Sequence, residues 1–179
     1  KEDLDLLVAG NFRLIRLFDS SDAVAKQTLQ VIQSNAMDIK VQLGIYILSN
    51  DEAFNQAEIA RGVALAKAYP NIVLAVSVGN ETMVNWSFNP VPPTQMAVYI
   101  AQVRSQISQP VTTDENWAFF ASAPREILRT IDFCAIHTYA LLDSVYDPTS
   151  WDWKQEAVPA ASRATAMMDA AIVKTKNDY

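Results

Sequence analysis

Five short runs rich in apolar and β-branched residues, at 12–18, 40–48, 72–78, 110–113 and 133–138, recur along this chain, and amphipathic stretches of helical length separate the first four. That alternation is the pattern of βαβ units, in which parallel strands are covered by the helices that connect them. The second run shows it most clearly, with Val41, Leu43, Ile45 and Ile47 on one face and Gln42, Gly44, Tyr46 and Leu48 on the other. Both faces of such a strand are expected to be covered. Between the runs, Ile59, Val63 and Ala66, and then Met96, Ile100, Val103 and Ile107, fall at helical spacing and predict stripes that pack on the outside of a sheet.

The ends of these helices are punctuated. Ser20-Ser21-Asp22 and Ser49-Asn50-Asp51-Glu52 offer capping oxygens and first-turn acids, Pro92-Pro93 opens the fourth interval, and Pro70 and Pro110 stop helices. Residues 2–8, with Leu4, Leu7 and Val8, read as the tail of a further helix. Residues 159–174 read as another, with Met167, Met168 and Ile172 as its apolar face. The fold class is therefore α/β, with residues 1–179 forming a single barrel-type domain. A closed (β/α)8 TIM barrel needs about 250 residues, whereas this chain has 179 and five visible strands. The expectation is a partial barrel, cut at both ends, whose open sheet edges invite self-association.

Composition removes several classes of function. A net charge of −6 with no basic cluster argues against nucleic acid or an anionic membrane surface as the partner. No apolar run is long enough to cross a bilayer. One cysteine, Cys134, and one histidine, His137, cannot build a thiolate or His-rich metal site, and none of the four glycines forms a phosphate-cradling pattern. No cofactor is expected, and carboxylates, amides and aromatic rings remain as the chemical inventory.

Those groups gather where the strands end. Arg16 and Asp19 follow the first run, Tyr46 the second, Asn80 and Glu81 the third, Asp114, Glu115, Asn116 and Trp117 the fourth, and His137 and Tyr139 the fifth. In barrels of this kind the chemistry sits at the carboxyl ends of the strands. A glycosidic bond is cut by a proton donor beside the leaving oxygen and a second carboxylate opposite it, while amides grip hydroxyls and aromatic faces stack on pyranose rings. Asn80-Glu81 suits that division of labour, because neighbouring side chains at a strand end point apart and serve different atoms of one sugar.

At these residues the sequence resembles glycoside hydrolase family 17, the β-1,3-glucanases and β-1,3-glucan transglycosylases. The matching words are Ile15-Arg16-Leu17-Phe18-Asp19, Val76-Ser77-Val78-Gly79-Asn80-Glu81 and Ala135-Ile136-His137-Thr138-Tyr139. The resemblance implies that Glu81 is the general acid/base and that Asn80 binds the sugar 2-hydroxyl. It places Arg16 near the catalytic floor and Tyr139 near the sugar at the cleavage point. Asp19, Tyr46, Glu115, Trp117 and His137 complete the expected substrate-contacting set. The stretch Val-Thr-Thr-Asp-Glu-Asn-Trp at 111–117 looks like the bacterial branch, which implies an extracytoplasmic or membrane-attached setting for the full-length protein. The resemblance covers nearly the whole chain and makes the five runs strands two to six of the barrel. The family's nucleophile is a second Glu in a Gly-Glu-x-Gly-Trp-Pro motif, and no such motif occurs here. The expectation is a chain that is inactive alone, or active only with the missing segment supplied.

Plainer roles are open at each position. Glu81 at the head of a helix also favours the helix dipole, Arg16 pairs with a buried acid, and a lone histidine on a strand is commonly a hydrogen-bonded support. Asp114 and Glu115 are adjacent on a strand, so at most one enters the cleft. Trp117, Trp151 and Trp153 are the better candidates for sugar platforms, with Trp86 equally readable as packing. A retaining β-1,3-glucan hydrolase acting on β-glucan is the leading reading. Transglycosylation at the same site, a carbohydrate-binding remnant and an unrelated α/β domain are the alternatives.

Overall fold

The computed structural model describes residues 1–139, residue 162 and residues 165–174. Five strands, β1 (Leu14–Arg16), β2 (Lys40–Ile45), β3 (Val73–Asn80), β4 (Val111–Asn116) and β5 (Ala135–His137), form one parallel sheet in the order β1-β2-β3-β4-β5. The sheet curls into a half-barrel with helices on its outer side, the partial (β/α) barrel expected from the alternating runs. β1 and β5 are its two edges among the described residues.

The connecting helices begin and end where local chemistry dictates. Helix α1 (Glu2–Ala9) precedes β1. Ser21 Oγ accepts from the Val24 amide and caps a π-helical turn, Asp22–Lys26, which runs into α2 (Gln27–Ser34). Asp51 accepts from the Phe54 amide at 2.9 Å and caps α3 (Glu52–Ala68), and Pro93 occupies the first turn of α4 (Pro93–Arg104). The β4–β5 connection carries two short helices, α5 (Trp117–Phe120) and α6 (Arg125–Leu128). Residues 165–174 are helical, but the buried positions are Met167 and Ala171, whereas Met168 and Ile172 are exposed. The expected apolar face there is thus rotated. Trp151 and Trp153 lie outside the described residues.

The core lies between the sheet and the helices. Val41, Leu43, Ile45, Val76, Val78 and Val111 meet Leu29, Ile32, Ile59, Val63, Met96, Ile100 and Val103, all buried. Two glycines set how closely layers approach. A Cβ at Gly62 in α3 would stand 2.5 Å from Ile45 Cγ1, and one at Gly44 in β2 would stand 2.3 Å from the Leu17 carbonyl oxygen. Gly44 therefore lets the chain leaving β1 cross close over β2.

β4 is longer than its apolar run predicts. It continues through Asp114, Glu115 and Asn116, all buried, so these acids sit in the ladder rather than past its end. Strand alternation then sends Asp114 and Glu115 to opposite faces.

Candidate active site

The inner face of the half-barrel carries a polar network centred on Arg16. Its Nε is ion-paired with Asp114 Oδ2 at 2.8 Å, its Nη1 lies 3.0 Å from His137 Nε2, and its Nη2 donates to Asn80 Oδ1. One side chain from β1 therefore ties together the ends of β3, β4 and β5. Asp114 is almost wholly buried, and its other oxygen accepts from Gln42 Nε2 at 2.8 Å. Both carboxylate oxygens are thus paired, which is what a buried charge requires. The Arg16 guanidinium also lies over the Phe18 ring, 4.2 Å from its centroid.

Asn80 and Glu81 stand where β3 stops. Arginine only donates, so Asn80 turns its Oδ1 toward Arg16 and presents its Nδ2 donors elsewhere. Among the described residues nothing takes those donors up. Glu81 has φ +48°, a left-handed conformation rare for a residue with a Cβ, two residues after Gly79 at φ +80°. Its amide donates to the Asp114 carbonyl at 2.8 Å, and its Oε1 lies 2.9 Å from His137 Nδ1. The Glu81 side chain keeps a quarter of its surface exposed. Backbone strain held in place by several partners recurs at functional sites.

Glu115 departs from expectation. Its side chain is fully buried on the other face of β4, where Oε1 accepts from the Thr82 amide (2.8 Å), the Thr82 hydroxyl (3.2 Å) and the Met83 amide (3.0 Å). It does not line the cleft, because strand alternation gives that place to Asp114. Burial pushes its carboxyl up to about 7 against the lowering effect of those amides, with the nearby Glu81 charge adding a smaller upward push. Glu115 holds the two residues that follow Glu81 and so supports the turn from behind.

The remaining expected residues are dispersed. Asp19 Oδ1 accepts from the Ser21 amide and shapes the turn after β1. Tyr46 is half-buried past the end of β2, and Trp117 opens α5 just beyond β4. Tyr139 is partly exposed, and its ring meets His137 edge-on with centroids 6.0 Å apart. The loops at this end rest on polar residues that hydrophobic periodicity passes over. Glu58, buried in α3, accepts from the Ser20 amide at 3.0 Å and the Tyr46 amide at 3.3 Å, and pairs with Arg61. Asn55 grips both backbone groups of Leu48, and Asn89 bridges the Ser49 amide and the Ile47 carbonyl. The signal for Asn55 and Glu58 was their position on the same helical face as Ile59 and Gly62, a stripe on which a polar residue needs a buried partner.

No helix among the described residues is long and apolar enough to cross a membrane, and no cluster of metal-ligating side chains occurs among them. The fold closely follows three solved structures. An endo-laminarinase from Formosa superposes with a TM-score of 0.78 at 22% identity, covering 98% of this chain and 56% of that one. A family 17 β-1,3-glucanosyltransferase from Rhizomucor miehei gives 0.73 at 17% identity, covering 97% and 60%. An active-site mutant of the Rhizomucor miehei β-1,3-glucanosyltransferase, in complex with laminaritriose, gives 0.68 at 17%, covering 91% and 56%. The chain thus spans a little over half the length of each. A search of curated proteins finds no match. Residues 1–175 match the BtgE/BtgC glycoside hydrolase domain, in agreement with the family 17 words around Arg16, Glu81 and His137. With that match running through nearly all of its length, the chain belongs to the BtgE/BtgC glycoside hydrolase domain family.

Proposed function

We propose that this domain acts on β-1,3-glucan by a retaining mechanism in which Glu81 is the general acid/base. The observation that carries the reading is the placement of Asn80-Glu81 at the end of β3, with the amide turned by Arg16 and the carboxylate held by His137. In this reading the Asn80 Nδ2 donors bind the sugar 2-hydroxyl while Glu81 protonates the leaving oxygen. Tyr139, Trp117 and Tyr46, placed around the same strand ends, contact the sugar. A retaining mechanism needs a second carboxyl about 5–5.5 Å from the first. Asp114 is engaged by Arg16 and Gln42, and Glu115 is buried behind the sheet. In this reading the nucleophile is the second Glu that the family 17 resemblance places in a motif this sequence lacks.

The structural neighbours include both a laminarinase and glucanosyltransferases, which gives transfer a specific claim beside hydrolysis. The two differ only in whether water or a sugar hydroxyl attacks the intermediate. The test is product analysis of laminari-oligosaccharides with this chain, with a form extended by about 80 residues toward full barrel length, and with the extended Glu81→Gln variant. Turnover by the extended form alone, abolished in the variant, supports the reading, and products longer than the substrate mark a transglycosylase. Binding without turnover in a folded extended form would replace it with a carbohydrate-binding role.

A further inference from the structure

His137 touches two partners of opposite character, and together they determine where its proton lies. Nε2 is 3.0 Å from Arg16 Nη1. A guanidinium has only N–H donors and stays charged at any ordinary pH. A protonated Nε2 would set donor against donor at contact distance, so the contact requires Nε2 to be the lone-pair acceptor. The single proton of the neutral ring is then on Nδ1, which lies 2.9 Å from Glu81 Oε1 and donates to it. Arg16 is itself anchored by Asp114 on the far side and by Asn80. The chain of contacts runs Asp114, Arg16, His137, Glu81, and its polarity is fixed from the arginine outward.

We infer that His137 is a positioning residue locked by Arg16 in the Nδ1–H form, which occupies Glu81 Oε1 and assigns any proton carried by Glu81 to Oε2. This rests on the acid/base reading of Glu81 and deepens it by naming the donating oxygen. A carboxylic acid whose Oε1 accepts from an imidazole N–H keeps its proton on Oε2, the oxygen that must face the leaving group. Among the described residues, the charged and titratable groups around the ring are Arg16 from β1, Asp114 from β4, Glu81 from the end of β3 and Tyr139 after β5. Glu115 lies behind the Glu81 turn.

The chain contains one histidine, so imidazole-labelled protein gives a single set of ring nitrogen signals. Long-range proton–nitrogen correlation spectra recorded at a pH where the ring is neutral should show it protonated at Nδ1. A neutral ring protonated at Nε2 would overturn the assignment, and that result does not depend on catalysis. In the Arg16→Met variant the lock is removed, and the population should move toward Nε2–H. Persistence of pure Nδ1–H in that variant would sink Arg16 as its cause. The third measurement is kcat and KM for laminari-oligosaccharides in the extended His137→Phe and His137→Asn variants. Phenylalanine cannot donate to Oε1 and should lower kcat by about tenfold, as expected for one lost hydrogen bond, with KM little changed, whereas the asparagine side-chain N–H should restore part of that loss. Equal losses in the two variants would reduce His137 to a structural role. Complete absence of turnover in the extended wild type would instead strike the acid/base reading and leave the ring assignment to stand or fall on its spectra.

Discussion

The two faces of this sheet solve opposite problems with alternate residues of the same strands. On β2, Val41, Leu43 and Ile45 turn outward into a dry layer against the helices, while Gln42 turns inward to reach Asp114 on β4. The outer face is non-directional, since burial of apolar area stabilises whichever aliphatic group fills the space. The inner face is directional, since Arg16, Asp114, Asn80, His137 and Glu81 each need a particular partner at a particular atom. Damage to the two faces should therefore look different: truncation on the outer face should cost stability alone, whereas loss of a charged partner on the inner face should cost stability and the proposed activity together.

The largest contrast is expected from Glu81→Gln in the extended form. Loss of general acid catalysis should lower laminari-oligosaccharide turnover by about 10²–10⁴-fold, with a urea midpoint close to that of the wild type. A large drop in stability would mean that Glu81 itself supports the fold and that lost activity reports lost structure. Asp114→Ala breaks the inner face at its anchor, leaving Arg16 and Gln42 facing an empty position. Removing one partner of a buried pair costs about 3–5 kcal/mol, measurable by urea denaturation, and turnover should fall as well because Asn80 and His137 lose their fixed neighbour. Leu43→Ala damages only the outer face. It should destabilise by about 2–5 kcal/mol through the cavity left, with KM and kcat of the surviving folded fraction unchanged.

Glu115→Gln sharpens the comparison through pH. The folded-state carboxyl is raised to about 7 from an ordinary 4.5, so the folded protein keeps a proton that the unfolded chain releases. Stability is then full below about pH 4.5, declines as pH rises to about 7, and is level beyond, a loss of about 3 kcal/mol for a shift of this size. The neutral glutamine should flatten that decline and be the more stable form at pH 8. A parallel decline in wild type and variant would show that Glu115 does not govern it. The smallest effect concerns the left-handed backbone at Glu81. Glu81→Gly should exceed Glu81→Ala in stability by about 1 kcal/mol, because only glycine adopts φ near +48° without strain. Equal stabilities would remove strain from the account of this turn.

Each of these residues was visible in the sequence to a different degree. The alternating runs and helical stripes located all five strands and the buried apolar positions Ile59, Val63 and Ala66 of α3 and Met96, Ile100 and Val103 of α4, while Ile107 falls beyond the end of α4, and Asn80-Glu81 at a strand end marked the candidate site. Hydrophobic periodicity underestimated β4, because Asp114, Glu115 and Asn116 carry no apolar signal although they continue the ladder. It also gave no weight to Asn55, Glu58 and Asn89, whose value lies in backbone groups of loops distant in sequence.

What the sequence determined by itself, then, was the order of strands and helices, the outward apolar faces and the family words, because these depend on local period and residue type. Only the tertiary structure decided which of Asp114 and Glu115 enters the cleft, and that Arg16 joins β3, β4 and β5. It alone brought His137 to Glu81 across 56 residues of sequence. Hydrogen bonds and ion pairs act over a few ångströms with strict direction, and those distances exist only after the sheet has curled and set the strand ends side by side.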